Sequence, residues 1–225
     1  MVVAVAHGDR CGMMAGLNFL AHLYLAEDSA ASMIGNVLPD LVRGPVDPAL
    51  DPRVLAGARL HRQVDAFSDT HPIFARSRAR LRERHGIFAS ILVDLFYDHV
   101  LAANWGSWHR QPLPEFVSKA HQRFESHRHL MPVPMQVIVT RLVEQDWLSC
   151  YATVEGMQLV LWRMSRRLSA RFSRPVHLES AVRELRTLGP ELADDFDAFF
   201  PELIEYAAQR RDSAFASAPT RASGA

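Results

Sequence analysis

Residues 60–69 read Leu60-His61-Arg62-Gln63-Val64-Asp65-Ala66-Phe67-Ser68-Asp69, and their polar side chains recur at helical spacing. His61, Asp65 and Asp69 are four residues apart, so a helix places them one turn apart on one face. Two interpretations fit such a face. It is either the solvated acidic side of an amphipathic surface helix or a set of ligands for a metal ion.

A second acidic pair, in a more apolar segment, favours the metal site. Asp94 and Asp98, with His99 next to them, interrupt the apolar triplets Ile91–Val93 and Leu95–Tyr97. An unpaired buried carboxylate is costly, so a cation or several arginines must compensate for it. Helical proteins bind divalent cations between facing helices through carboxylates and imidazoles. The two segments therefore predict metal-assisted hydrolysis.

Two further polar residues belong to the same set. His22 lies within the apolar segment Phe19–Leu25, where a neutral imidazole can be buried with a single hydrogen bond. Asp40 follows Pro39 shortly before the Gly44-Pro45 turn. Taken singly, His22 is explained as a core histidine and Asp40 as a carboxylate near a turn. Taken with the two acidic helices, both become candidate ligands.

The composition is that of one globular domain. The chain has 225 residues, of which 48% are hydrophobic and 22% charged, and this length suffices for a sizeable core. Its 25 basic and 25 acidic side chains balance. Nothing in the charge therefore demands a nucleic-acid partner.

Cysteine usage and hydropathy indicate the compartment. The two cysteines, Cys11 and Cys150, are too few for a disulfide scaffold and lack metal-ligand spacing. The short apolar run near the N-terminus has no basic segment before it, so we expect no signal peptide. Acids or histidines interrupt the other apolar segments before they are long enough to cross a bilayer. We therefore expect a cytoplasmic protein without a membrane partner.

The hydrophobic pattern predicts an all-α, single compact multi-helix domain, because no region alternates with period two for long enough to form a sheet. Glycines and prolines mark the helix ends. We expect helices over residues 17–27, 29–42, 52–69, 72–86, 87–104, 112–127, 132–147, 152–171 and 178–206. Residues 17–209 then form the domain, with an N-terminal extension over 1–16 and a disordered tail over 210–225.

A run of arginines lies between the two acidic helices. Arg76, Arg80 and Arg84 are four residues apart and share one helical face. Such a face is either a surface for an acidic partner or phosphate, or an ordinary solvated helix. The sequence leaves both interpretations open.

Four ordered motifs resemble those of the acyl carrier protein phosphodiesterase family, over a likeness that extends from Leu17 to about Tyr206. They are Asn18–Leu23, Gly35–Asp40, Leu60–Asp65 and Asp94–His99. The resemblance implies a helical enzyme related to the HD-domain phosphohydrolases, which uses Mn²⁺, or alternatively Mg²⁺, to remove 4′-phosphopantetheine from holo acyl carrier protein. The adjacent His-Asp pair of ordinary HD enzymes is absent, and the order here is Asp98-His99.

With this resemblance, the candidate residues take roles. The expected metal ligands are His22, Asp40, His61, Asp65, Asp94 and Asp98. Proton transfer is assigned to His99 and Asp69. The substrate phosphate is expected to be held by Arg43, Arg59 and Arg62. The acidic carrier protein is expected to dock on the helix that carries Arg76, Arg80 and Arg84.

Two other classes of protein have the same residues. A metal-dependent phosphohydrolase of a nucleotide or another small phosphodiester would use the same ligands, since one scaffold hosts several chemistries. A non-enzymatic helical interaction protein would use the histidines and acids as a structural polar network. The second would lose stability, rather than activity, when Asp65 or Asp98 is replaced.

Overall fold

A computed structural model describes residues 19–216, with side chains to residue 211, and contains no strand in that range. The all-α prediction is confirmed. The helices are α1 (Phe19–Leu25), α2 (Ala30–Leu41), α3 (Pro52–Thr70), α4 (Pro72–His85), α5 (Ala89–Ala103), α6 (Trp105–Trp108), α7 (Leu113–Ser126), α8 (Val133–Glu144), α9 (Val154–Phe172), α10 (Val182–Thr187) and α11 (Gly189–Ala216). The predicted extension over residues 1–16 lies outside the described residues.

Proline and glycine set the helix ends that the sequence predicted. Pro52 and Pro72 lie in the first turns of α3 and α4, where the missing N–H costs no hydrogen bond. Gly86 ends α4 with φ at 53°, a left-handed angle that an L side chain rarely adopts. At α2, the Ser29 side chain accepts a hydrogen bond from the Ser32 N–H and caps the helix.

Helices α2 and α3 touch through glycine. Gly35 and Gly57 face each other across the crossing, and a Cβ on Gly57 would lie 2.6 Å from the carbonyl oxygen of Ser32. A real side chain does not fit at that distance. The two backbones can therefore approach closely enough for residues of α2 to reach His61 on α3.

Helix α5 lies in the core. Most of its residues are buried, with Asp98 fully so. The stretch Pro72–Ala103, which comprises α4 and α5, is long and apolar enough by composition to cross a membrane. However, 61% of its most apolar window is buried inside the protein. This burial is typical of the core helix of a soluble protein.

Two predictions for the C-terminal part were wrong in their boundaries. The helix predicted over 178–206 is divided into α10 and α11 at Leu188, because Pro190 has no N–H with which to continue the hydrogen bonding of α10. A disordered tail was predicted from residue 210, but α11 continues to Ala216. The guanidinium of Arg211 donates to the carbonyl oxygen of Leu25 and holds this last part of α11 against α1. The remaining tail residues, 217–225, lie outside the described range.

Candidate metal centre

Three of the predicted ligands converge where α1 meets α3. His22, His61 and Asp65 each offer one ligand atom, and these atoms lie within 4.8 Å of one another. The Nε2 atoms of His22 and His61 lie 3.2 and 3.1 Å from the two carboxylate oxygens of Asp65. The two imidazole rings stack with their centroids 3.9 Å apart. Spacing along α3 accounts for His61 and Asp65, whereas His22 comes from a separate helix.

Asp40, at the end of α2, extends this group. One carboxylate oxygen of Asp40 lies 3.7 Å from His61 Nε2, and the side chain is 1% exposed. Neither oxygen of Asp40 and neither ring nitrogen of His22 has a hydrogen-bond partner of good geometry. A buried polar atom without a hydrogen-bond partner lowers the stability of the folded protein. A divalent cation would satisfy both residues, so the donor set fits a metal.

His61 has the tautomer that a metal ligand needs. Its Nδ1 lies 2.7 Å from the carbonyl oxygen of Asn36. Because a carbonyl oxygen only accepts, Nδ1 carries a proton, and Nε2 faces Asp40 and Asp65, where it offers a lone pair to a cation once its own proton is lost. Metal-bound histidines commonly donate a hydrogen bond through the N–H of their other ring nitrogen, which fixes the orientation of the ring.

The carboxylates around this centre are strongly perturbed. Burial raises the pKa of Asp40 to about 7 and that of Asp98 to about 8. Desolvation also raises the pKa of Asp94 well above its usual range, and the charges of Asp65 and Asp69 add to the effect. These acids repel one another in a poorly solvated region, and a bound cation would relieve that repulsion.

The pKa values of the two histidines are shifted in opposite directions. Burial and the neighbouring His61 lower the pKa of His22, which favours the neutral ring. Burial opposes protonation of His61 too, but the carboxylates of Asp40 and Asp65 outweigh it and raise the pKa of His61 to about 9. Desolvation would raise the pKa of Asp65, but the charge of His61 and the close contacts with both imidazoles outweigh it and hold that pKa below the usual range, so Asp65 stays ionised.

Asp98 has a contact that spacing did not predict. Its two carboxylate oxygens accept hydrogen bonds from the backbone N–H groups of Leu20 and Ala21, at 2.9 and 2.8 Å. Asp98 therefore caps the first turn of α1 and sets the position of His22. Its direct ligation of a metal stays a prediction.

The two residues predicted for proton transfer lie in different surroundings. Asp69 is exposed, one turn beyond Asp65 on α3. His99 donates through Nδ1 to the carbonyl oxygen of Tyr151, at 2.7 Å, and is not part of the His22, His61 and Asp65 group. Neighbouring residues of a helix point about 100° apart, so His99 cannot share the direction of Asp98.

The arginines predicted for substrate and partner also differ. Arg43, Arg59 and Arg62 are exposed, so all three remain available to a ligand. On α4, the Nε atoms of Arg76 and Arg80 donate to Asp195, at 2.8 and 3.3 Å, and Arg84 donates to Glu184. The α4 arginines are thus ion-paired with α10 and α11. These pairs favour a structural interpretation of α4 over the docking interpretation.

One site residue was missed from the sequence. Arg167, on α9, donates through Nη2 to the backbone carbonyl oxygen of Asp40, 127 positions away in the chain. Burial lowers the pKa of Arg167, and the positive charges of Arg43 and Arg171 lower it further. The carboxylate of Asp40 acts in the opposite direction. The four-residue spacing of Arg163, Arg167 and Arg171 was a visible signal, but no local pattern brings α9 to the end of α2.

Comparison with known proteins identifies the family. The sequence model of a family described as acyl carrier protein phosphodiesterase matches residues 17–203. The chain belongs to the acyl carrier protein phosphodiesterase family. The family match spans α1 to α10 and the first half of α11, and it includes every predicted ligand together with Arg167.

Individual members of this family are similar over most of the chain. A protein of Photorhabdus laumondii is 32% identical over 201 residues, which cover 88% of this chain and 96% of the relative. A protein of Yersinia enterocolitica is 31% identical over 198 residues, or 87% of this chain and 100% of its own. One from Escherichia coli O6:H1 is 29% identical over 195 residues, or 86% and 99%. All three are named acyl carrier protein phosphodiesterase, and no solved structure matches this chain.

Proposed function

We propose that this protein hydrolyses the phosphodiester bond between 4′-phosphopantetheine and holo acyl carrier protein. Water adds across the bond, the phosphate leaves with the pantetheine arm, and the carrier regains a free hydroxyl as apo acyl carrier protein. The single observation that carries this proposal is the buried pair of Asp40 and His22, which lack hydrogen-bond partners beside Asp65 and His61. Family membership supports the choice of substrate.

The proposed cofactor is Mn²⁺, with Mg²⁺ as the alternative. His22, Asp40, His61 and Asp65 would hold it, with Asp94 and Asp98 as the further candidate ligands. Carboxylate-rich sites suit hard divalent cations, and the two imidazoles favour manganese over magnesium. When bound, such a cation neutralises phosphate charge and lowers the pKa of water.

The protein's own side chains orient the substrate and move its proton. Asp65 has 41% of its side-chain surface exposed, whereas Asp40 and His61 are buried, so the substrate must approach from the Asp65 side. A carboxylate oxygen of Asp69, exposed one turn away, can accept a proton from the attacking water on that side. We assign the substrate phosphate to Arg43, Arg59 and Arg62, because planar guanidinium groups bind phosphate oxygens in pairs. We place the reaction in the cytoplasm.

The test is a mass measurement on the carrier protein. Purified enzyme is incubated with holo acyl carrier protein and Mn²⁺, with and without a chelator. We expect the carrier to lose the mass of phosphopantetheine only when metal is present. A carrier that keeps its mass, while bis(4-nitrophenyl) phosphate is hydrolysed in a metal-dependent reaction, would reassign the site to small phosphodiesters. If neither substrate reacts, the cluster is a structural network.

A further inference from the structure

Helix α9 has a surplus of positive charge that its surroundings leave uncompensated. Arg163, Arg166, Arg167 and Arg171 lie on this helix, and none of them takes part in an ion pair within residues 19–211. Arg163, Arg167 and Arg171 are four residues apart. Like charges at that spacing destabilise a helix by about 0.2–0.5 kcal/mol per pair. The carboxylate of Asp40 acts on Arg167, whereas Arg163 and Arg166 form no ion pair with a described carboxylate.

Aromatic rings support several of these arginines. The guanidinium of Arg163 lies 5.2 Å from the ring centroid of Trp147, and that of Arg166 lies 5.0 Å from the centroid of Trp162. A cation–π contact fixes the direction of a guanidinium without cancelling its charge. The surface is therefore ordered and remains positive.

Helix α4 carries a similar run of arginines, but three of them are ion-paired. Both helices carry arginines at four-residue spacing. Those on α4 are neutralised from within the domain, where Asp195 binds Arg76 and Arg80. A partner that approached α4 would have to compete with Asp195. On α9, no described carboxylate forms an ion pair with Arg163 or Arg166, so a partner that binds these arginines displaces no ion pair.

The position of α9 connects this charge to the metal centre. Arg167 donates to the backbone of Asp40, so the middle of α9 packs against the end of α2 that carries a candidate ligand. On the outer side, Leu159 is 39% exposed and Trp162 is 44% exposed. Arginine and tryptophan together are typical of residues that dominate binding energy at protein interfaces.

We propose that the α9 surface, formed by Leu159, Trp162, Arg163 and Arg166, is the docking site for the acidic face of the carrier protein. The positive surplus calls for an acidic partner, and Trp162 supplies an apolar anchor. Arg167, on the same helix, contacts the backbone of Asp40, so the proposed docking surface belongs to a helix that borders the metal centre. The identity of the partner rests on the proposed function.

The test is a double charge reversal with a matched control. Arg163→Glu with Arg166→Glu changes the α9 surface. Arg82→Glu with Arg186→Glu makes the same change of net charge at two exposed arginines on α4 and α10. We expect the first variant to raise the KM for holo carrier protein about tenfold or more, since reversed charges repel an acidic partner. Its kcat and its hydrolysis of bis(4-nitrophenyl) phosphate stay at wild-type values, and the control variant keeps the wild-type KM.

Direct binding separates this proposal from the proposed function. Titration of wild-type and variant proteins with apo carrier protein measures docking without turnover. Added salt should weaken the wild-type complex more than that of the α9 variant. If the carrier binds through α9 but is never cleaved, docking stands and the assigned reaction fails. Equal KM values in both variants, or no binding of the carrier by the wild-type protein, would overturn the docking site.

A second variant checks the apolar anchor. Trp162→Ala removes an exposed ring, so the fold should be retained, as shown by an unchanged circular dichroism spectrum. We expect weaker binding of the carrier with unchanged hydrolysis of the small phosphodiester. Unchanged affinity for the carrier would exclude Trp162 from the interface.

Discussion

Asp65 lies between two imidazoles from different helices, so its carboxylate joins α1 to α3 through His22 and His61. It is also the most accessible member of the buried group, with 41% of its side-chain surface exposed. A candidate ligand that is also exposed to the approaching substrate should matter more for activity than for folding. This separates an enzyme from a structural polar network.

Replacing Asp65 by alanine tests that distinction. We expect Asp65→Ala to lower kcat by more than about 100-fold, because outer-shell substitutions alone cost 10–100-fold in metal affinity or activity. The circular dichroism spectrum should stay helical, since the side chain is partly exposed. Asp197→Ala, at an exposed acid on α11, is the control and should behave as wild type. Full activity of Asp65→Ala, or loss of its helical spectrum, would contradict this role.

At the scale of helices, the crossing of α2 and α3 determines whether the site can form. His61 reaches the carbonyl of Asn36 because Gly35 and Gly57 let the two backbones touch. Any side chain at Gly57 must push α2 away from α3. The hydrogen bond that fixes the His61 tautomer would lengthen at the same time.

Gly57→Ala measures the importance of this close approach. A Cβ there meets the Ser32 carbonyl at 2.6 Å, and overpacking of this kind costs about 1–3 kcal/mol. We expect a lower free energy of unfolding in urea, together with weaker metal binding. Gly106→Ala is the matched control, because a Cβ on Gly106 meets nothing within 4 Å. Equal stability of the two variants would show that the crossing is not tight.

Local patterns explain which elements could be predicted. Pro52, Pro72 and Gly86 determine helix ends through their own backbone restrictions, so sequence analysis placed those ends well. The break before α11 was missed, although Pro190 is a local signal, because the apolar pattern continues across it. The contact between Asp195 and Arg76 could not be predicted, since it spans 119 positions and depends on how α11 packs on α4.

At the scale of the whole molecule, the first half of the chain supplies the ligands and the second half supplies charge around them. Helical spacing predicted His61 and Asp65 as neighbours, and the two acidic helices made His22 and Asp40 further candidates, which the structure brings to the same place. Spacing does not predict the contacts of His99 and Arg167, because the direction of each is set by a backbone carbonyl distant in sequence; the role of His99 in proton transfer stays a prediction. The likeness to the HD-domain phosphohydrolases stays a prediction.

The stability of the metal-free molecule should fall as pH rises from about 7 to about 9. In the folded state Asp40, Asp98 and His61 lose their protons with pKa values of about 7, 8 and 9. In the unfolded chain all three are already deprotonated there, with ordinary pKa values near 3.8 and 6.5. The folded state therefore binds more protons in this window, and stability decreases as they are lost.

Metal should reverse this loss, because a cation and these protons compete for the same atoms. We expect the increase in Tm on adding Mn²⁺ to be larger at pH 8 than at pH 7, and metal at a hundredfold excess over its Kd to add about 2.7 kcal/mol of stability. Thermal unfolding of chelator-treated protein at both pH values, with and without metal, measures the effect. Asp65→Ala should show a smaller response. A metal effect independent of pH, or equal in that variant, would place the cation elsewhere in the protein.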